Sequence, residues 1–253
     1  MTDGPIILEI NQRVAKITLN DPAHRNALSE AMFDGLEAAL TEIEATPSVS
    51  VLLINGEGRV FCSGFDLGAA VENPSVMGDF IRRLGSALIR IRSLPAVCVA
   101  AVQGAAIAGG CALACSADLV VTHTEARFGY PVLRLGISPA VSLPLLQNKV
   151  GPGLARSMML GGKVIDGSEA TRSGLASHLV DNPDDVAAKA ETLVQQLAQK
   201  PANALVTTKQ WLNEIDGSSY DEALLAIVAD TGPLATEPEA IEMMRTIWNR
   251  RKA

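Results

Sequence analysis

The chain has 253 residues, with 21 Lys+Arg against 28 Asp+Glu for a formal net charge of −7, and is 48% hydrophobic and 19% charged. At about 150 residues per domain it holds one large domain or two small ones with a full hydrophobic core, and this composition excludes a disordered chain. The acidic balance argues against general binding of nucleic acid or anionic membranes, no apolar run reaches the ~18 residues of a membrane span, and Met1–Pro5 resembles neither a secretory signal nor a transit peptide, so a soluble cytoplasmic protein is expected.

Cys62, Cys98, Cys111 and Cys115 form no CxxC pair, and His24, His123 and His178 are scattered. A zinc site needs convergent ligands at close spacing. Cys111 and Cys115 lie one helical turn apart in an Ala-rich run, the pattern of small core residues in a reducing compartment. No metal is expected.

In chain order, Ile6–Ile10 and Val14–Leu19 are apolar-rich runs split by Asn11-Gln12-Arg13, which predicts a hairpin. A loop with strong breakers, Asn20 to Asn26, follows. Ser29 is a candidate N-cap for a helix carrying Met32, Leu36, Leu40 and Ile43 at helical spacing until Pro47. Val49–Ile54 reads as a buried strand, Gly78–Ser93 as a helix stopped by Pro95, and Ala96–Val102 as a second buried strand. Gly109-Gly110 opens a helix to about Ala117, and Leu119–Thr122 is a further strand. From about Leu143 the pattern is helical, with Asp166 and Ser168 as N-cap candidates and helices over Pro183–Gln199, Ala202–Asp216, Ser219–Ala229 and Glu237–Trp248. The strand-helix-strand order predicts an α/β fold with an at least partly parallel sheet, and the expected division is an α/β core at 1–190 and a helical region at 191–253.

Two segments carry unusual chemistry for their place: Phe61-Cys62-Ser63-Gly64-Phe65-Asp66-Leu67, and Gln103 to Cys111 with Gly104, Gly109 and Gly110. Glycine lets the backbone approach a ligand closely. A helix N-terminus presents unpaired N–H donors, and two such donors from two loops can stabilise an oxyanion. Tight packing of helix on sheet is the other reading of the same residues. The glycine spacing fits neither G-x-G-x-x-G nor a Walker motif.

Taken together, these segments resemble the crotonase superfamily, the enoyl-CoA hydratase/isomerase family. The resemblance spans nearly the whole chain. It adds Leu19-Asn20-Asp21-Pro22, Arg25-Asn26-Ala27-Leu28, Ala117-Asp118, Arg127-Phe128-Gly129, Leu135-Gly136 and Gly174-Leu175-Ala176. It implies a core of repeated ββα turns, a C-terminal helical trimerisation region, and a homotrimer or dimer of trimers. It implies a coenzyme A thioester as substrate, no further cofactor, and a thioester carbonyl held by the backbone N–H groups of Phe65 and Gly109. Polarising that carbonyl acidifies the α-carbon and stabilises an enolate.

The same resemblance places proton-transfer glutamates at three positions, two residues after the Gly-Gly pair, four after Phe128 and eight further on. Here those positions are Ala112, Val132 and Ala140. Leu135-Gly136-Ile137-Ser138-Pro139-Ala140 is similar to the Leu-Gly-x-Ser-Pro-Glu of some enoyl-CoA isomerases, with Ala in place of Glu. Asp66 remains as a weak catalytic candidate, and Tyr130 as a donor or an aromatic wall. Ser138 and Ser142 have no histidine nearby in sequence, and Arg134 reads as an exposed charge. Substrate binding is assigned to Arg25, Ala27, Ser63, Leu67, Gly110, Tyr130, Val132, Pro139 and Ala140. Lys209 and the basic tail Arg250, Arg251 and Lys252 are candidate phosphate contacts, and Phe61, Val71, Phe80 and Leu84 are candidate acyl-pocket or core residues. Two functions follow: an isomerase-like acyl-CoA enzyme working through an oxyanion hole, or a non-catalytic acyl-CoA-binding or assembly subunit.

Overall fold

A computed structural model describes residues 4–218 and 221–252. Strands β1 (Ile6–Asn11) and β2 (Val14–Leu19) form the expected antiparallel hairpin. Helix α1 (Glu30–Glu44) starts at Ser29, whose hydroxyl accepts from the Met32 N–H at 3.2 Å. Strand β3 (Val51–Gly56), helices α2 (Leu67–Glu72) and α3 (Val76–Ser93), strands β4 (Val97–Val102) and β5 (Ala105–Ile107) and helix α4 (Gly109–Ser116) follow. Then come β6 (Leu119–His123), β7 (Arg127–Gly129), α5 (Leu143–Gly161), β8 (Val164–Asp166), α6 (Gly167–Arg172) and β9 (His178–Val180). The chain ends in α7 (Asp185–Ala198), α8 (Ala202–Ile215), α9 (Asp221–Leu234) and α10 (Pro238–Lys252).

One sheet has the order β1-β2-β3-β4-β6-β9, parallel from β2 onward, and a second has the order β5-β7-β8. The repeating unit is a strand in the large sheet, a short strand in the small one, and a helix: β4-β5-α4 and β6-β7-α5 both follow it. Alternation along the strands divides the core in two. In β3, Leu52 and Ile54 join the cluster beneath α1, α3 and α4, whereas Val51 and Leu53 face the opposite layer. In β4, Cys98, Ala100 and Val102 take the first side and Val97, Val99 and Ala101 the second. Helix α7 covers that second face with Val186, Ala190, Val194 and Leu197.

Residue 190 therefore falls inside a helix packed on the sheet, not in a linker. The helices beyond it fold back on the same chain, α9 against α3 and α10 against α2. The predicted start of α9 at Ser219 lies outside the described residues, as do the side chains of Arg250, Arg251 and Lys252.

Strands β8 and β9 interrupt the stretch expected to be wholly helical. Each has three residues, too few for a period of two to show in the sequence. Asp166 does cap α6, accepting from the Glu169 N–H at 2.7 Å. His123 is buried and its Nδ1 accepts from the Glu125 N–H at 3.3 Å.

Lys209 is not a surface contact for phosphate. It is 4% exposed, with its ammonium 3.0 Å from the Asp118 carboxylate and donating to the Ala96 carbonyl at 2.8 Å. Asp118 also holds Arg92 at 3.0 Å and accepts from the Cys98 N–H at 2.8 Å, tying β4, α3 and α8 together. Removing one partner of such a network strands the other charges without compensation. Asp118→Ala is expected to lower unfolding free energy by about 3 kcal/mol, read from urea denaturation.

Candidate active site

The two glycine segments meet. The backbone of Leu28 pairs with Phe65 as in a parallel ladder: the Leu28 N–H donates to the Gly64 carbonyl at 2.8 Å and the Asp66 N–H to the Leu28 carbonyl at 3.2 Å. N–H directions alternate along an extended chain, so the Phe65 N–H points away from Leu28. Cys62 pairs in the same way with β5: its N–H donates to the Ala105 carbonyl at 3.1 Å and its carbonyl accepts from the Ile107 N–H at 3.0 Å.

At the end of β5 the chain turns into α4 through Ala108, which sits at φ 52° and ψ −116°. That region is scarcely open to a residue with a Cβ, and holding it costs on the order of 1–3 kcal/mol. The turn is pinned by the Ala108 N–H donating to the Gly129 carbonyl at 2.8 Å and the Ala112 N–H to the Ala108 carbonyl at 3.0 Å. The strained residue aims the first N–H of α4, that of Gly109. Gly64, at φ +91°, lies against this turn so closely that a Cβ on it would come within 3.0 Å of the Ala108 Cβ and 3.5 Å of the Gly109 nitrogen.

No hydrogen bond among the described residues takes up the Phe65 or the Gly109 N–H. Both residues line one cavity of about 570 Å³, a volume in the range of small-molecule sites. Two unpaired backbone donors thus converge on a largely apolar space, one of them at the positive end of a helix.

The same cavity brings together ten of the sequence-assigned residues. Phe65, Asp66, Leu67 and Gly109 border it on one side, with Arg25, Ala27 and Ser63 beside them. Tyr130, Val132 and Pro139 line it as well. Gly110 and Ala140 are not part of the lining, and neither is Ala112, which is fully buried in α4. Gly110 serves packing, since a Cβ there would lie 2.2 Å from the Cys62 carbonyl oxygen. Of the candidate acyl-pocket residues Leu84 reaches the cavity, whereas Phe61 and Phe80 are core side chains and Val71 packs against the core without lining the cavity.

Asp66 caps α2: its Oδ1 accepts from the Gly68 N–H at 2.9 Å and the Ala69 N–H at 3.2 Å. Its Oδ2 has no hydrogen bond among the described residues, and it is the lining's single carboxylate. Tyr130 shows its ring to the cavity while its hydroxyl donates to the Cys115 Sγ at 3.9 Å, and burial pushes the phenol well above its ordinary value. Burial likewise pushes the Cys62 thiol up to about 12.

Asn26 is fully buried, with its Nδ2 among the carbonyls of Glu57, Val60 and Phe61 at 2.8–3.1 Å, and it stitches the two loops beneath the site. The Phe65 ring packs with Phe33 and Phe80, at centroid distances of 6.4 and 5.9 Å, and Arg83 lies 5.2 Å over Phe33 while pairing with Glu37 at 2.8 Å.

Sequence reading did not find Trp248, which reaches the cavity from α10 and packs on Gly68. Its place depends on the fold-back of α10, for which local sequence carries no signal. A second cavity of about 660 Å³ lies against α7 and α8; of its charged side chains Arg92 pairs with Asp118 and Asp216, Lys209 with Asp118, Lys149 donates to the Asp118 carbonyl, and Lys200 is exposed. Among the described residues no three His, Cys, Asp or Glu side chains converge as metal ligands, and no helix is long and apolar enough to cross a membrane.

The chain is a mixed α/β fold of strand-strand-helix repeats with two unpartnered backbone donors on residues lining one largely apolar cavity. The family profile described as enoyl-CoA hydratase/isomerase matches residues 9–226. The chain is 35% identical over 241 residues to the 2,3-dehydroadipyl-CoA hydratase of Escherichia coli K12, covering 94% of this chain and 91% of that one. It is 32% identical over 254 residues to the crotonyl-CoA hydratase of Syntrophomonas wolfei, covering 98% and 96%. The crystal structure of an enoyl-CoA hydratase/isomerase from Xanthobacter autotrophicus Py2 superposes with a TM-score of 0.87 at 28% identity, covering 98% of this chain and 94% of that one. The chain belongs to the enoyl-CoA hydratase/isomerase family, and its fold is the crotonase fold.

Because Gly110 lets α4 approach the Cys62 strand, Gly110→Ala is expected to destabilise the protein by more than about 2 kcal/mol. Thermal melting checks this.

Proposed function

We propose that this protein is an acyl-CoA thioester-processing enzyme that holds the thioester carbonyl between the Phe65 and Gly109 N–H groups and stabilises an enolate. The observation that carries the reading is the pair of unpartnered donors on one apolar cavity. Hydrogen bonds preorganised in such a space are worth far more than in water, because no solvent must reorganise as charge develops. Arg25 at the mouth suits an anionic group of coenzyme A. No further cofactor is called for, since the chemistry is proton transfer next to a polarised thioester.

The proton carrier in this reading is Asp66. Its Oδ1 is engaged in capping α2, which fixes the carboxylate, and its Oδ2 is left for the substrate. Val132 occupies the position where the family resemblance expects a glutamate, and the absence of that second carboxylate supports isomerase-like proton shuttling more than addition of water. Leu135 to Pro139 support the same branch. A cytoplasmic homotrimer or dimer of trimers, assembled through the helices beyond residue 190, completes the proposal. The exposure of Trp211 (63%), Leu212 (58%) and Ile215 (80%) on α8 supports a covered surface there.

A non-catalytic acyl-CoA-binding subunit is the second reading, favoured by a lining with one carboxylate. Incubation of 2-enoyl, 3-enoyl, saturated, 3-hydroxy and malonyl-type thioesters in heavy water separates the two. The enzyme reading expects deuterium at the α- or γ-carbon. Phe65→Pro, which deletes one donor, is expected to slow it about 10²-fold or more. Asp66→Asn keeps the helix cap and removes the base, and is expected to cost about 10² or more. Binding without any exchange would instead establish the subunit reading.

Val132→Glu puts a second carboxylate on the cavity lining. It is expected to raise exchange or water addition at least about tenfold, read by the same mass-resolved chromatography. An unchanged rate in a folded variant would show that the Val132 wall does not face the reacting carbons.

A further inference from the structure

Ser142 is a nearly fully buried polar side chain of the cavity whose hydroxyl makes no hydrogen bond among the described residues. It is 2% exposed and borders the cavity. It stands at the N-cap of α5, where a serine ordinarily bonds an N–H of the first turn, yet it makes no such bond. A proline sits at the start of that turn, removing one of the donors a cap would satisfy. Its own N–H donates to the Pro139 carbonyl at 3.0 Å, so its backbone donor is committed and its hydroxyl is not.

The other polar groups of the lining differ from it. Ser138 Oγ accepts from the Ala140 N–H at 3.3 Å, and the Tyr130 hydroxyl donates to Cys115. Asp66 caps α2 through Oδ1 and keeps Oδ2 for the reacting end, Ser63 is only half-buried, and Arg25 and Arg134 are exposed. Around Ser142 the wall is apolar, with Ile81, Leu84, Val141 and Ile137 all buried. A hydroxyl on an apolar cavity wall with no protein partner is free to bond an acceptor that a ligand brings. The hydroxyl also stands at the positive end of α5, where an acceptor oxygen is preferred to a donor.

We propose that Ser142 determines specificity by donating a hydrogen bond to an oxygen carried by the acyl chain itself. The cavity then suits thioesters whose acyl group bears a second oxygen acceptor, an oxo or carboxylate group, over thioesters of plain hydrocarbon chains. This rests on the thioester reading above and adds to it the chemical class of the acyl group.

The test uses thioesters of matched length that lack a double bond: acetoacetyl- against butyryl-coenzyme A, and succinyl- against pentanoyl-coenzyme A. Affinities are measured by calorimetry for the wild-type protein, Ser142→Ala and Ser142→Thr. The wild type is expected to prefer the oxygenated member of at least one pair. Ser142→Ala is expected to weaken that member about tenfold and leave its plain counterpart unchanged, and Ser142→Thr to keep the preference. The melting temperature of Ser142→Ala should not fall, as it would if the hydroxyl capped α5.

Equal effects on both members of a pair, or no effect on either, overturn the role of Ser142. A wild-type preference for the plain members overturns it without any variant, even if Ser142→Ala fails to fold. No binding of any thioester to the wild type overturns the thioester reading, and this proposal with it.

Discussion

The turn at Gly64 lies against the turn at Ala108 with no room for a side chain on Gly64, and the chemistry of the site depends on that approach. Each turn alone leaves one N–H unpaired, which is common at a helix start or a sheet edge. Two unpaired donors on residues lining one largely apolar cavity are a different matter, because a single acceptor entering that space can meet both. The pairing of Leu28 with Phe65 and of Cys62 with β5 sets the direction of the first donor, and the strained Ala108 sets the second. Neither depends on the identity of a polar side chain.

Such donors act only if they stay put, and the surroundings are built accordingly. The Phe65 ring is wedged between Phe33 and Phe80, and Phe33 is in turn covered by Arg83. Arg83 bridges α1 and α3 through Asp34 and Glu37, and those carboxylates hold its guanidinium further above its already high ordinary value. On the far side, every residue of α4 is buried, so the helix that carries Gly109 has no exposed face along which to shift. Stability of the core and positioning of the donors are therefore the same set of contacts seen from two directions.

The sequence was most informative where one rule governed a long segment. The hairpin, α1 with its Ser29 cap, α3 and the two buried strands all follow from periodicity and breakers. The three-residue strands β5, β7, β8 and β9 carry no readable period, yet β5 and β7 build the second sheet on which the site stands. The glycine segments stood out because glycine appeared where a helix or strand would ordinarily refuse it. Lys209 was misassigned because a lysine at a helical position ordinarily reads as solvated, and its burial follows from Asp118, more than ninety positions away. Trp248 and Ser142 escaped assignment for a related reason: their place at the cavity is set by how α10 and α5 pack, not by their neighbours in the chain.

The division of labour in this cavity explains how one fold can hold several reactions. In the proposed reading charge is stabilised by backbone groups, which no substitution short of proline removes, so the ability to polarise a thioester is kept as side chains change. Proton movement belongs to side chains, and those are free to vary. In this chain Val132 presents an apolar surface to the cavity, and Ala112 lies wholly within the core behind it. A carboxylate at Ala112 would have to be housed in α4, whose residues have no exposure to give it. In the proposed reading the electrostatic part of catalysis is held by the fold, and the choice of acyl group falls to the few polar side chains that the cavity retains.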